Sequence, residues 1–234
     1  MTVRVTLISP ALSTALREAR FGDGPLDAAG LRQAGAVRDA PTVAEQRAAA
    51  ARVFTSPSER CRQTAEALGL VAEPLPELRT CAMGRWRGRR LDEVGAAEPE
   101  AVAAWLGNPA AAPHGGESLE ALHSRLGHWL DALDADALRA DPPGPEPLGA
   151  EPLGAEPLGA DAPGSDPLGK DARPRSARVL AVAEPDVVRA LTVHAIGAPA
   201  QVFWRIDIQP LTVTELSGRN GRWNLRGGRP LHGG

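Results

Sequence analysis

The sequence predicts an α/β fold in which helices cover both faces of a mostly parallel central sheet, a three-layer sandwich. Three observations carry this prediction. From Val3 to Leu68, short apolar stretches of strand length alternate with longer stretches of helical periodicity, the order from which covered parallel sheets are built. Val179-Leu180-Ala181-Val182-Ala183 is a continuous apolar run, the pattern of a strand buried on both faces. Phe54 to Leu68 reads as the end of a buried strand, a tight corner and the start of a helix.

Val3, Val5 and Leu7 alternate with polar residues and then meet Ile8, which predicts a first strand ending at Ser9-Pro10. Ser13 to Phe21 reads as a polar connection and Gly22-Asp23-Gly24-Pro25 as a turn. Asp27 caps a helix through Leu31, Ala34 and Val37. A second strand over Ala50 to Thr55 leads into the corner. There Ser56 is the expected cap, Pro57 the first helical residue, and Glu59 completes a capping box. Arg60 then falls in the first helical turn, where its guanidinium and the free N–H groups of the helix end form a phosphate-sized anion receptor.

After a proline-broken loop, Leu91 to Trp105 is helical with an interruption at Pro99. Ser118 caps an amphipathic helix whose Leu119, Leu122, Leu126, Trp129, Leu130 and Leu133 recur at threes and fours. His123 and His128 stand five apart, off the spacing of a helical metal pair, so no metal site is expected. Beyond the apolar run at Val179, Asp186 is placed to cap a helix through Val187, Leu191 and His194. Gln201 to Ile208 and Leu211 to Leu216 read as strands. An Asn220-Gly221 turn then returns a last short strand over Arg222 to Leu225. The apolar residues from Val202 to Ile208 would close a homodimer or end the sheet.

Between the two ordered parts the composition changes. Glu146-Pro147-Leu148-Gly149-Ala150 repeats at Glu151 and Glu156 and decays through Asp161 and Asp166. Proline and glycine in every pentad oppose both helix and ladder, so the segment reads as a disordered insertion. The domain is therefore expected over 1–140, interrupted by 141–175 and resumed over 176–234.

The 234 residues carry a formal net charge of −3, which gives no general attraction to nucleic acid or an anionic membrane. The arginines at 85, 87, 89 and 90 with a single tryptophan make a weak nucleic-acid signal. Two cysteines, Cys61 and Cys81, form neither a metal spacing nor a disulfide framework and suit a reduced, cytoplasmic setting. No apolar run approaches the about 18 residues of a membrane span.

In a parallel sheet, ligands bind beyond the carboxyl ends of the strands. Those ends present Ser9-Pro10, Ser56 with Arg60, and Glu184-Pro185, so one cleft is expected to gather Ser9, Ser56, Arg60 and Glu184, with Thr80 beside them. That set has one strong anion binder and one carboxylate, which either pair or leave Arg60 an open anion site with Glu184 turned outward.

Thr55-Ser56-Pro57-Ser58-Glu59-Arg60-Cys61-Arg62-Gln63-Thr64-Ala65-Glu66 is very similar to the S-S-P-x-x-R-A-x-Q-T-A-E segment of the histidine phosphatase superfamily, the phosphoglycerate mutase-like family. Gly84-Arg85-Trp86-Arg87-Gly88 resembles its G-x-W-E-G, and Gly115-Gly116-Glu117-Ser118 matches its G-G-E-S. Phe203-Trp204-Arg205 falls where the family often has a similar strand. The resemblance implies a phosphoglycerate mutase-like sandwich with a phosphate-binding arginine at Arg60.

The departures fall on the chemistry. The family's L-I-R-H-G-E-T, whose histidine accepts the phosphoryl group, is here Leu7-Ile8-Ser9-Pro10-Ala11-Leu12-Ser13. Its L-R-E, with the proton donor, is Leu78-Arg79-Thr80, and its second histidine is replaced by Glu184. Proline has no lone pair with which to attack phosphorus, and a threonine hydroxyl is no general acid near neutral pH. Loss of a nucleophile alone costs on the order of a million-fold in turnover.

The resemblance therefore implies a phosphatase-like pseudoenzyme that needs no cofactor and keeps a site at Arg60 for a small anionic or zwitterionic metabolite. The alternatives are an active phosphatase- or mutase-like or other enzyme that uses Glu184 and Arg60 on a small metabolite, phosphorylated or not, with Glu184 as base and Ser9 or Ser56 as a binding hydroxyl, and a regulatory scaffold that engages a partner.

Overall fold

A computed structural model of the chain describes residues 2–133, 177–219 and 221–231. The insertion expected over 141–175 lies outside them. Six strands form one sheet in the order β3-β2-β4-β1-β5-β6. In chain order they are β1 (Val3–Ile8), β2 (Arg52–Thr55), β3 (Glu73–Pro74), β4 (Ala177–Val182), β5 (Thr212–Arg219) and β6 (Arg222–Pro230). The first four pair in parallel, and β5 and β6 extend the sheet antiparallel from β1. The mostly parallel sheet read from the sequence is the observed one.

The helices are α1 (Thr14–Arg17), α2 (Ala28–Ala36), α3 (Pro41–Ala49), α4 (Glu59–Ala67), α5 (Leu91–Ala97), α6 (Pro99–Gly107), α7 (Leu119–Asp131) and α8 (Pro185–Ala195). Side chains alternate across the sheet, so β1 and β4 feed two separate cores. Val3, Val5, Leu7, Val179 and Ala181 pack with Leu122 and Leu126 of α7 and Leu191 of α8. Ile8, Leu180 and Val182 pack on the other face with Ala34, Val43, Cys61 and Ala65 from α2, α3 and α4. Helices on both faces complete the three layers.

Several local expectations change. The connection after Ser13 contains a helical turn, α1, capped by the Ser13 hydroxyl, which accepts from Leu16 N at 3.3 Å. The proline-broken loop supplies β3, a two-residue edge strand where a proline costs no ladder bond.

Gln201 to Ile208 is not a strand. Ala200–Arg205 is a 3-10 helix, and Val202, Phe203, Trp204, Ile206 and Ile208 turn their apolar surface onto the α7–α8 core. The free edge of β1, which such a strand would need, is taken by β5 in full register. The segment therefore presents no strand edge to a second copy. Conversely, β6 runs on to Pro230, past the expected Leu225, because β5 continues beside it through a bulge between Val213 and Glu215.

Candidate functional site

The carboxyl ends of β2 and β4 meet where Ser56 N donates to Val182 O at 2.8 Å. Each strand turns at once into a helix, β2 into α4 and β4 into α8, so both helix N-termini open on one cleft. The cap of α4 is Ser58, two residues beyond the expected Ser56. Its hydroxyl accepts from Cys61 N at 3.2 Å and donates to Glu184 Oε1 at 2.7 Å. Ser56 is fully buried, and among the described residues its hydroxyl is in reach of Ser58 N alone, at 3.5 Å. Likewise α8 begins at Pro185 with Glu184 in the cap position, so Asp186 sits inside the first turn.

Arg60 and Glu184 are paired. The guanidinium engages both carboxylate oxygens, with Nε to Oε1 at 3.3 Å and Nη2 on Oε2. Both are closed to solvent, Arg60 at 8% exposure and Glu184 at 5%. Burial pulls the Arg60 pKa down from its ordinary value, while the charges of Asp186 and Asp23 act in the opposite direction. The Cys61 thiol lies 3.6 Å from Glu184 Oε1, and burial pushes its pKa up to about 12. It stays a neutral thiol.

The other half of the anticipated receptor is also occupied from within. Asp23, in the turn after α1, accepts from Glu59 N at 2.6 Å and Arg60 N at 3.3 Å. Asp186 performs the same service at α8, accepting from Val187 N at 2.9 Å, and its other oxygen holds Thr80 Oγ1 and Cys81 N at 2.7 Å each. Thr80 is therefore fixed to the cleft wall as a donor to Asp186. Three carboxylates face one buried guanidinium, and both the guanidinium and the N–H groups at the start of α4 already have their anion.

Ser9 does not join this group through its hydroxyl. It is buried, and Ser9 Oγ donates to Gln209 O at 2.5 Å and accepts from Thr212 N at 3.0 Å, facing the start of β5. Pro10 is buried next to it, and the following Ala11 N donates to Thr64 Oγ1 of α4 at 3.1 Å. The cleft frame is thus pinned to α4 by backbone and hydroxyl contacts.

Among the described residues no histidine bonds to Arg60 or Glu184. His114 accepts from Gly116 N at 3.0 Å and stacks near Trp86, with ring centroids 5.1 Å apart. His194 Nε2 meets Asp131 Oδ2 at 2.9 Å, with the His123 ring 5.5 Å away. Among the described residues no cluster of three or more histidine, cysteine, aspartate or glutamate side chains is placed to hold a metal ion. No described helix is long and apolar enough to cross a membrane.

Two adjoining cavities open beside the pair, lined by its neighbours Asp23, Ser58 and Asp186 and by neither Arg60 nor Glu184. One, of about 500 Å³, is bordered by Asp23, Ser58, Arg79, Thr80 and Arg87. Its neighbour, of about 200 Å³, is walled by Phe21, Met83, Trp105, Phe203 and Trp204 and shares Gly22, Thr80, Cys81 and Met83 with the first. Neither is lined by histidine. The sequence reading missed this aromatic wall because it draws on three separate stretches, joined by edge-to-face contacts of Trp105 with Phe21 at 5.7 Å and Trp204 at 4.7 Å.

The two glycine motifs buttress the cleft. Gly84 has φ +47, and a side chain there would stand 2.2 Å from His114 O. At Gly116 one would stand 1.8 Å from Ala82 O. The backbones bond across this gap, Arg85 N to His114 O at 3.0 Å and Glu117 N to Ala82 O at 2.8 Å. Glu117 then grips Arg125 at 2.7 Å and 2.8 Å, and Arg125 holds Glu77 O at 2.5 Å and Arg79 O at 3.2 Å. This chain of contacts sets the loop that carries Thr80.

A mostly parallel sheet covered by helices on both faces, with strand ends that turn straight into helices, defines the class as a three-layer α/β fold. The comparisons name it. Residues 14–141 match the model of the histidine phosphatase superfamily (branch 1), and the chain belongs to that superfamily.

Among solved structures, the mycobacterial glucosyl-3-phosphoglycerate phosphatase aligns with 98% of this chain and 100% of its own at 20% identity and a TM-score of 0.71. The alpha-ribazole phosphatase of Shigella flexneri aligns with 99% of this chain and 98% of its own at 19% identity and a TM-score of 0.71. At such identities the likeness is one of fold. A comparison with curated proteins finds no match.

Proposed function

We propose that this protein keeps the histidine phosphatase fold but does not transfer phosphoryl groups, and that its cleft binds a small metabolite without a phosphoenzyme. The observation that carries this reading is the occupied receptor. Glu184 takes the Nε/Nη2 edge of the Arg60 guanidinium with both its oxygens, and Asp23 takes the first N–H groups of α4. A phosphate dianion would have to displace one carboxylate and lie against two others, in a buried setting where repulsion between like charges is weakly screened. Pro10 and Thr80 supply neither a phosphoryl acceptor nor a useful acid. Of the two ligands implied by the sequence, a small zwitterionic metabolite suits the cleft better than a bare anion at Arg60. The aromatic wall and the rim arginines Arg79 and Arg87 line the open cavities beside the closed pair.

A second reading draws on the likeness to proteins named as phosphatases: an enzyme that uses Glu184 and Arg60 on a small phosphorylated metabolite. One experiment separates the two. Purified protein is assayed with p-nitrophenyl phosphate and a panel of phosphosugars, and acid-labile protein-bound phosphate is sought after quenching. The proposal expects no turnover and no labile phosphate. Turnover that disappears in Arg60→Ala, in protein still folded by circular dichroism, establishes the enzyme instead.

A further inference from the structure

The sheet carries a second polar concavity at its opposite end, where β1 and β4 begin. On the face covered by α2, α3 and α4, β1 presents Arg4, Thr6 and Ile8 in turn, and β4 presents Arg178, Leu180 and Val182. The apolar members lie under the helices. The two arginines lie past them, where α3 alone borders the sheet and a cavity of about 300 Å³ opens, lined by Arg4, Arg178, Arg226, Arg229, Glu45 and Glu215 among others.

Arg4 and Arg178 are register partners on adjacent parallel strands, so their side chains leave the same face about 4.8 Å apart. Like charges set side by side in this way destabilise a sheet. Glu215 does not relieve them. It is shared between Arg229 at 3.6 Å and Arg226 at 4.0 Å, and it also accepts the Gln46 amide at 3.3 Å. Among the described residues neither Arg4 nor Arg178 has a carboxylate within salt-bridge distance.

A merely solvated sheet end would scatter both signs of charge. Here four arginines border one concavity against two carboxylates, beside a Gln46 side chain held in place by Thr6 at 2.9 Å. The cavity of about 300 Å³ has room for more than one phosphate group, and its arginines come from three strands, β1, β4 and β6, so linked phosphate groups can meet several of them at once. Guanidiniums favour such ligands because their planar donor pairs match phosphate oxygens.

We propose that this concavity is a binding site for a multivalent phosphate-type oxyanion, a polyphosphate chain or the triphosphate of a nucleotide, separate from the cleft at Arg60. The test is calorimetric titration of the full chain with sodium tripolyphosphate at low ionic strength. Nitrogen-15 amide spectra of the same samples locate the ligand.

The proposal expects one site that weakens as salt rises, shifts at the Gln46 and Asn224 side-chain amides, and an affinity lowered about tenfold or more by Arg4→Gln with Arg178→Gln. Arg79→Gln with Arg87→Gln, at the mouth of the cleft, should leave binding unchanged. Adenosine triphosphate bound as tightly as tripolyphosphate assigns the site to the bare phosphate chain, and tighter binding assigns it to a nucleotide. Absence of binding, a double variant that binds like the parent, or shifts confined to Thr80 through Arg87 would overturn it.

Discussion

Replacing Glu184 by glutamine removes one negative charge and leaves the size of the side chain and one acceptor oxygen in place. Arg60 then remains charged and buried without its directly bonded carboxylate, with only the more distant Asp23 and Asp186 to offset it, because a guanidinium does not give up its proton in proteins. Breaking a buried ion pair from one side costs about 3–5 kcal/mol. The retained amide oxygen can still accept from Ser58 or Arg60, which places Glu184→Gln at the lower end, about 3 kcal/mol. For a domain of this size that is a fall in Tm of about 6–12 °C.

The same change reopens the anion site. Phosphate present at about 100 times its Kd should return about 2.7 kcal/mol to the variant, nearly all of what was lost. The parent protein, whose Arg60 is already neutralised, should gain almost nothing. Adding Asp23→Asn removes the carboxylate at the start of α4 and should tighten phosphate further. The measurement is thermal unfolding by circular dichroism with phosphate or chloride at matched ionic strength. Equal phosphate stabilisation of parent and Glu184→Gln would refute the idea of a receptor filled from within.

Gly84→Ala should lower the denaturation midpoint by several kcal/mol equivalent, since the new methyl group would stand 2.2 Å from His114 O at a φ of +47. Urea titration reports it, and a loss under about 1 kcal/mol would show that the loop yields. Burial, followed by the neighbouring His194, holds the His123 pKa below its ordinary value. The unfolded state therefore binds the proton first, and the stability this group contributes above about pH 6.5 is lost as pH falls toward its folded pKa. His123→Leu should flatten the stability profile in that window, and an unchanged slope would assign the acid sensitivity to other groups. Cys61 is fully buried and Cys81 is also pushed up to about 12 by burial, so neither thiol should react quickly with a disulfide reagent at pH 8 until the protein is unfolded in guanidinium.

The sequence alone determined the layered α/β sandwich, because alternation at β1 and the unbroken apolar run at β4 report burial directly. It also put Arg60 and Glu184 at the carboxyl ends of strands, where a parallel sheet binds ligands, while the pairing of β2 with β4 that makes those two ends neighbours came from the tertiary structure. Local chemistry was less reliable where two residues compete for one role. Ser56 and Ser58 are both competent caps, and the choice of Ser58 depends on Glu184, 126 positions further along the chain. The stretch from Val202 to Ile208 has the composition of a strand and is not one, because whether a ladder partner is free is a property of the whole sheet.

Asp23 was legible only as a turn residue. That its carboxylate closes the start of α4 follows from a contact across 36 positions, and the aromatic wall of Phe21, Trp105 and Trp204 likewise exists only once three distant segments fold together. Periodicity records which face of an element is buried. Which charge answers which across the cleft is decided by distances that no single stretch of chain contains.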